Sequence, residues 1–292
     1  MKVELLLAVA LATGLALAAE RGPHNRDDYV PGTYTNARAR AANSLRYAHA
    51  PNRLLEKIVK GELAKGGYIA LADPQVAEAA GMSGLDFVWI DAEHRPFTVK
   101  DILLADIALK GTGCASLVRV RTEEFNYLKQ ILDTGIDGII VPQVNTYEQA
   151  KRAIAACRYP QAGGERGICV DRQSGYGKIP LFDYLKRSET FPFIVIEIEH
   201  VDALKELDRI LTLDFDAIMV GPADLSCSLG GLKDAGTPKV KAIVADIARR
   251  THAAGKLFFA LGMESARANG GDLVCGPGDL ESMTTAWKAF MK

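Results

Sequence analysis

Eight short apolar runs alternate with amphipathic helical segments along most of this chain, and few architectures accept that order. The runs are Tyr68–Ala72, Phe87–Asp91, Ala115–Val120, Gly138–Val141, Phe193–Glu199, Ala217–Val220, Leu257–Leu261 and Leu273–Cys275. Bounded by turn residues, they read as strands buried on both faces, the pattern of a parallel sheet. Between most of them lie helical segments such as Val99–Leu109, Glu123–Asp133, Tyr147–Cys157, Val201–Leu211 and Val240–Ala254. Eight such units over roughly 225 residues fit an α/β architecture closed as a (β/α)8 TIM barrel better than an open doubly wound sheet. No G-x-G-x-x-G follows the first strand, which argues against a dinucleotide-binding fold.

Ahead of the barrel, taken as residues 53–292, the chain changes character. Residues 1–19 carry Lys2, an apolar run from Leu5 to Ala19, and Ala16-Leu17-Ala18-Ala19 before Glu20. This reads as a secretory signal with an A-x-A cleavage site, although Glu4 is unusual in its positive region. A retained anchor or a misplaced start codon are the alternatives. The run is too short to span a bilayer comfortably, so no stable membrane span is expected after processing. The expected location is periplasmic or secreted if the signal is cleaved, and cytoplasmic otherwise. Residues 20–52 are polar, with Pro23, Pro31 and Pro51, and read as an exposed leader, partly helical around Ala37–Tyr47. A helix is expected over Arg53–Lys65, stopped by Gly66-Gly67.

Composition narrows the partners. With 48% hydrophobic residues in 292, the chain can bury a large core. Its 35 basic and 36 acidic side chains are interspersed and give a net charge of -1, so no basic face invites nucleic acid. Five cysteines, Cys114, Cys157, Cys169, Cys227 and Cys275, form no C-x-x-C pair and support neither a zinc site nor a disulfide framework. Cys114 and Cys275 read as small core residues.

In a (β/α)8 barrel, chemistry sits at the C-terminal strand ends. Those ends supply Asp73, the cluster Asp91-Ala-Glu-His94, Arg119, Pro142-Gln143, Glu199, Asp224 and Gly276-Pro277. Glu199 and Asp224 each terminate an apolar run, where an unpaired charge is expensive. Together they would suit a divalent cation; singly, each could instead cap the following helix. Asp91 has the same alternative, and Arg119 could serve only to pair with an acid across the barrel. The long stretch Tyr159–Pro192, with Gly163-Gly164, Gly167, Gly175 and Gly177, is expected to be an active-site loop.

The motifs at these ends match a family. Phe87-Val-Trp-Ile-Asp-Ala-Glu-His-Arg-Pro96 resembles the DGEHxP motif of the metal-dependent (class II) pyruvate aldolases of the hydroxy-oxo-heptanedioate aldolase/citrate lyase family. Leu132-Asp-Thr-Gly, Ile139-Ile-Val-Pro-Gln143, Arg158-Tyr-Pro, Gly164-Glu-Arg-Gly167, Glu197-Ile-Glu199 and Gly221-Pro-Ala-Asp-Leu-Ser226 are similar to its later segments, in order, from about Asn52 to Asp279. The resemblance implies an aldehyde-lyase that reversibly cleaves a 4-hydroxy-2-oxo acid to pyruvate and an aldehyde through a pyruvate enolate. It implies that Glu199 and Asp224 hold Mg2+ or Mn2+, with Co2+ a third option. Arg119, Glu197 and Asp224, with the Gly221-Pro222-Ala223 backbone, would line the substrate site. Arg119 would stabilise the enolate, and His94 would act as acid or base, oriented by Asp133 with Asp91 nearby. A homo-oligomer, trimer or hexamer, with an exchanged C-terminal helix is implied as well.

Three positions depart from that pattern. Glu197 stands where the family usually has Gln and adds a carboxylate to the pocket, so it should be protonated or paired with a cation. Ala92 replaces a glycine, and Arg95 a small residue beside His94, either of which bears on the aldehyde accepted. Two rivals remain at this stage. A lyase acting on a malyl- or citryl-type thioester would need a basic pocket for its carrier, and none is evident. A non-catalytic exported 2-oxo-acid binder would not need His94, Arg119 and Asp133 together.

Overall fold

A computed structural model of the chain describes residues 32–121, 123–231 and 236–292, and Gly32–Lys292 form one compact unit. The expected signal at residues 1–19 lies outside the described residues. Eight parallel strands close in sequence order, β1 to β8, with β1 pairing β8: β1 Ala64–Ile69, β2 Phe87–Asp91, β3 Ala115–Arg119, β4 Gly138–Val141, β5 Phe193–Ile198, β6 Ala217–Val220, β7 Leu257–Leu261 and β8 Leu273–Gly278. The described helices are α1 Ala37–Arg46, α2 Arg53–Lys60, α3 Pro74–Met82, α4 Val99–Lys110, α5 Phe125–Asp133, α6 Tyr147–Cys157, α7 Leu181–Ser188, α8 Val201–Ile210, α9 Pro222–Ser228, α10 Pro238–Ala253, α11 Met263–Asn269 and α12 Asp279–Phe290. The expected TIM barrel is the observed fold.

Period-two alternation sorts each strand into two faces. Val88, Ile90, Val118, Ile139, Ile194, Ile196 and Ile218 pack outward with the helices in one buried cluster. Phe87, Trp89, Leu117, Val195, Met219 and Phe259 form a second cluster inside the barrel. The inward series Trp89–Asp91, Leu117–Arg119 and Val195–Glu197 therefore ends in charge at the C-terminal mouth. Gly66 in β1 makes room for this filling, because a Cβ there would lie 2.3 Å from the Phe87 ring.

Four expectations need correction here. The helix from Arg53 stops at Lys60, since Gly61 takes a left-handed φ of 70° and Glu62 N–H closes the end onto Lys57 O at 2.9 Å. Gly66-Gly67 therefore belong to β1, which begins at Ala64 rather than Tyr68. The leader is not exposed over α1: Ala37, Arg40, Ala41 and Ser44 are buried. Arg40 reaches Asp216 at 2.7 Å and also pairs with Asp214, just ahead of β6. The 159–192 stretch does not border the mouth of its own barrel. It joins the end of α6 to the start of β5, so it covers the N-terminal face, where Arg158 Nη1 donates to Pro192 O at 3.0 Å.

Candidate active site

Strand register sets the centre of the site. Asp91 and Arg119 are paired at the ends of β2 and β3, and Arg119 Nε lies 3.0 Å from Asp91 Oδ1. The same Nε lies 3.1 Å from Glu93 Oε2, and Nη1 lies 3.5 Å from Glu197 Oε2. The guanidinium rests over the Trp89 ring, 4.5 Å from its centroid. Tyr68 donates to Asp91 Oδ2 at 2.6 Å, and the N–H groups of Glu93 and His94 donate to Oδ1. Burial pushes the Asp91 carboxyl up, but Arg119 and Tyr68 outweigh it and hold the group below its usual range.

His94 sits at the rim, its side chain 62% exposed, with Nε2 3.5 Å from Glu93 Oε2. Arg121 pins the turn carrying it by donating to Ala92 O at 3.1 Å and to Phe97 O. Asp133 is not brought here. It closes α5, which returns the chain to the opposite face, and its partner is Arg166 at 2.7 Å. The expected orientation of His94 by Asp133 is therefore not seen in this chain, and Glu93 stands at that place.

Glu199 follows β5 and accepts from Gln143 N–H at 2.6 Å. Gln143 holds a φ of 53°, a conformation that is strained for a side chain with a Cβ and that aims this N–H into the site. Gly221 packs so closely that a Cβ there would lie 2.6 Å from Glu199 Oε2 and 3.1 Å from Glu197 Oε1. Pro222, Ala223 and Asp224 open α9, with Ala223 and Asp224 exposed at the mouth. Burial, opposed by the Gln143 N–H and reinforced by Glu93 and Asp224, raises the Glu199 carboxyl to about 7. Burial and the neighbouring Glu199 push Glu197 well above the usual range despite Arg119. Burial likewise raises Glu93. Glu197 is thus paired with a cation, Arg119, and its carboxyl is pushed toward the neutral form.

Three carboxylates, those of Asp91, Glu93 and Glu197, contact one buried guanidinium, and those of Glu199 and Asp224 add their charge nearby. Glu93 Oε2 and Glu197 Oε2 are buried and face the Arg119 charge without forming a well-aligned hydrogen bond among the described residues. Such an excess of hard oxygen donors fits a divalent cation. Among the described residues no three His, Cys, Asp or Glu side chains converge as a finished cage. Two carboxylates with open positions for water and substrate are what Mg2+ commonly takes. A cavity of about 490 Å3 adjoins the cluster, walled by Tyr68, Trp89, Met263 and Gly276.

Sequence reasoning gave no role to Glu93, Tyr68, Trp89 or Gln143. The alternation on β2 would have pointed to Trp89 beneath Asp91, and Glu93 and Gln143 were already placed at strand ends; nothing local signals Tyr68. Asp73, by contrast, only caps α3, accepting from Gln75 N–H at 2.8 Å.

Comparison with known proteins bears on the family and the fold. The profile of the HpcH/HpaI aldolase/citrate lyase family matches residues 65–272. A hydroxypyruvate/pyruvate aldolase of Roseobacter denitrificans is 36% identical over 208 residues, 70% of this chain and 80% of its own length. A 2-keto-3-deoxy-L-rhamnonate aldolase of Klebsiella pneumoniae is 34% identical over 213 residues, 72% of this chain and 79% of its own. The crystal structure of an HpcH/HpaI aldolase from Desulfitobacterium hafniense superposes with a TM-score of 0.76 at 26% identity, covering 81% of this chain and 94% of that one. With barrel, strand-end carboxylates and buried arginine all in place, this chain belongs to the HpcH/HpaI aldolase/citrate lyase family.

Proposed function

We propose that the protein reversibly cleaves a 4-hydroxy-2-oxo acid into pyruvate and an aldehyde, with Mg2+ or Mn2+ held by Glu199 and Asp224. The observation that carries this reading is a single buried guanidinium, Arg119, set among carboxylates at the strand ends. The cation would supply Lewis-acid polarisation of the 2-oxo acid's oxygens. Arg119 offers fixed positive charge where the oxygen of an enolate gains negative charge, so it lowers the barrier without reorganising. In the cleavage direction His94, at the open rim, takes the proton of the C4 hydroxyl, the C3–C4 bond breaks, and its electron pair passes into the enolate. Trp89 and the barrel filling beneath exclude water from the guanidinium. Gly221 leaves the space in which Glu199 and substrate approach each other.

The decisive test follows the methyl protons of pyruvate in D2O by proton NMR, with Mg2+ or Mn2+ and no aldehyde. Exchange for deuterium is expected, and a chelator or Glu199→Ala or Asp224→Ala should stop it. His94→Ala should impair cleavage of a 4-hydroxy-2-oxo acid far more than this exchange. Absence of exchange in folded, metal-loaded protein would overturn the reading.

An assembly of several copies, a trimer or hexamer, belongs to the same proposal. Helix α12 buries none of its residues, and Trp287, Phe290 and Met291 are 64%, 88% and 81% exposed. An apolar helix left uncovered is suited to dock on a second copy. Phe290→Asp should lower the mass measured by light scattering; an unchanged mass, or a wild-type monomer, would refute it.

A further inference from the structure

At the face opposite the mouth, the N-terminal ends of β3 and β4 meet the 159–192 connection around a second cavity of about 230 Å3. Lys110, Asp137, Arg172, Gln173 and Arg187 lie in its wall. Lys110 Nζ lies 3.2 Å from Asp106 and 3.0 Å from Asp137, while Arg172 pairs with Asp106 and donates to Thr134 O at 2.8 Å. Three cations thus stand against two carboxylates. Gln173 is 6% exposed, and its Nε2 has no hydrogen-bond partner among the described residues; neither has the buried Nε of Arg187. The Arg187 guanidinium is held in plane by the Phe191 ring, 3.7 Å from its centroid. Burial pulls this guanidinium below its usual range even with Asp137 nearby.

Buried donors without acceptors are rare because each forfeits its hydration. Here the residues that carry two of them, Gln173 and Arg187, line one cavity that also holds one uncompensated positive charge. We propose that this cavity binds a small oxyanion, a phosphate or a compact carboxylate. A guanidinium held flat presents the fork geometry that such anions accept, and the Gln173 amide adds a neutral donor. The Lys110 and Arg172 cations add attraction beyond the carboxylates they already pair with. The length of β3 and β4 separates this site from Arg119 and Gln143, so its occupancy can be read apart from turnover.

The test is calorimetric titration of the metal-free full chain at constant ionic strength set by sodium chloride, with inorganic phosphate in one arm and malonate in the other. Saturable one-site binding is expected in at least one arm, and the arm that binds distinguishes the phosphate from the carboxylate source. Gln173→Leu and Arg187→Met should each weaken binding at least tenfold. Metal-loaded Gln173→Leu should keep the wild-type rate of pyruvate methyl exchange. Should Arg187→Met fail to fold, Gln173→Leu decides alone. No binding beyond chloride, or wild-type affinity in Gln173→Leu, would overturn the proposal.

Discussion

Asp91 and Arg119 are register partners at the ends of adjacent strands, and their side chains meet inside the barrel mouth with Nε 3.0 Å from Oδ1. The pair fixes the guanidinium plane, and Trp89 below and Glu197 across the barrel complete its seat. Arg119 neutralises buried carboxylates, and in the proposed reaction it would also face the reacting oxygen, two functions that separate by experiment.

Arg119→Ala should slow pyruvate methyl exchange by about 100- to 1,000-fold, the effect of removing one preorganised stabiliser of a developing oxyanion. It should also lower Tm, because Asp91, Glu93 and Glu197 lose their shared cation. Arg119→Lys should recover much of the Tm and little of the rate, since a point charge does not replace the fork. NMR exchange and circular dichroism melts check both arms.

Metal affinity should depend on pH through Glu199, whose carboxyl is raised to about 7 in the free protein. The ligand must lose its proton to bind, so Mn2+ affinity should rise by about tenfold per pH unit below 7 and level off above it. The metal-free fold carries the opposite sign. A carboxyl raised above its unfolded value keeps its proton longer in the native state, so stability falls as pH climbs from the ordinary carboxylate range toward 7. Mn2+ titrations and chemical denaturation across pH 5 to 8 measure the two trends.

Glu197→Gln should keep activity within a few-fold and raise stability at pH 8. The buried Glu197 carboxyl is already pushed toward its neutral form, and an amide of the same shape removes the cost of charging it beside Glu199. A large loss of exchange activity in this variant would show that the extra carboxylate takes part in the chemistry.

Arg40→Met should destabilise the fold by about 3–5 kcal/mol, because it strands Asp216, whose side chain is 2% exposed and also accepts from Ile194 N–H at 2.8 Å. Urea denaturation read by circular dichroism measures the loss, while pyruvate exchange per folded molecule should be unchanged.

Export is proposed from the apolar run Leu5–Ala19 alone. Protein from its native host should begin at Ala19 or Glu20 on N-terminal sequencing and be found outside the cytoplasm. A chain still starting at Met1 in the cytosol would sink the proposal.

The sequence by itself determined the barrel and the identity of most site groups. Strands buried on both faces announce themselves as apolar runs, and β2, β4, β6 and β7 fall where the residues place them. Period-two alternation puts Asp91, Arg119 and Glu197 on inward faces, which is a local property. Only the tertiary structure decided which of these groups touch. Barrel closure and strand register bring Arg119 to Asp91, Glu93 and Glu197 at once, and place the Gln143 N–H against Glu199. It also decided which face a segment covers: glycines in 159–192 look alike at either end of a barrel, yet a helix-to-strand connection must lie at the N-terminal end. For the same reason Asp133, at the end of a returning helix, lies with Arg166 rather than with His94. The burial of α1 depended on Arg40 finding Asp216, a partner 176 residues away that no local pattern encodes.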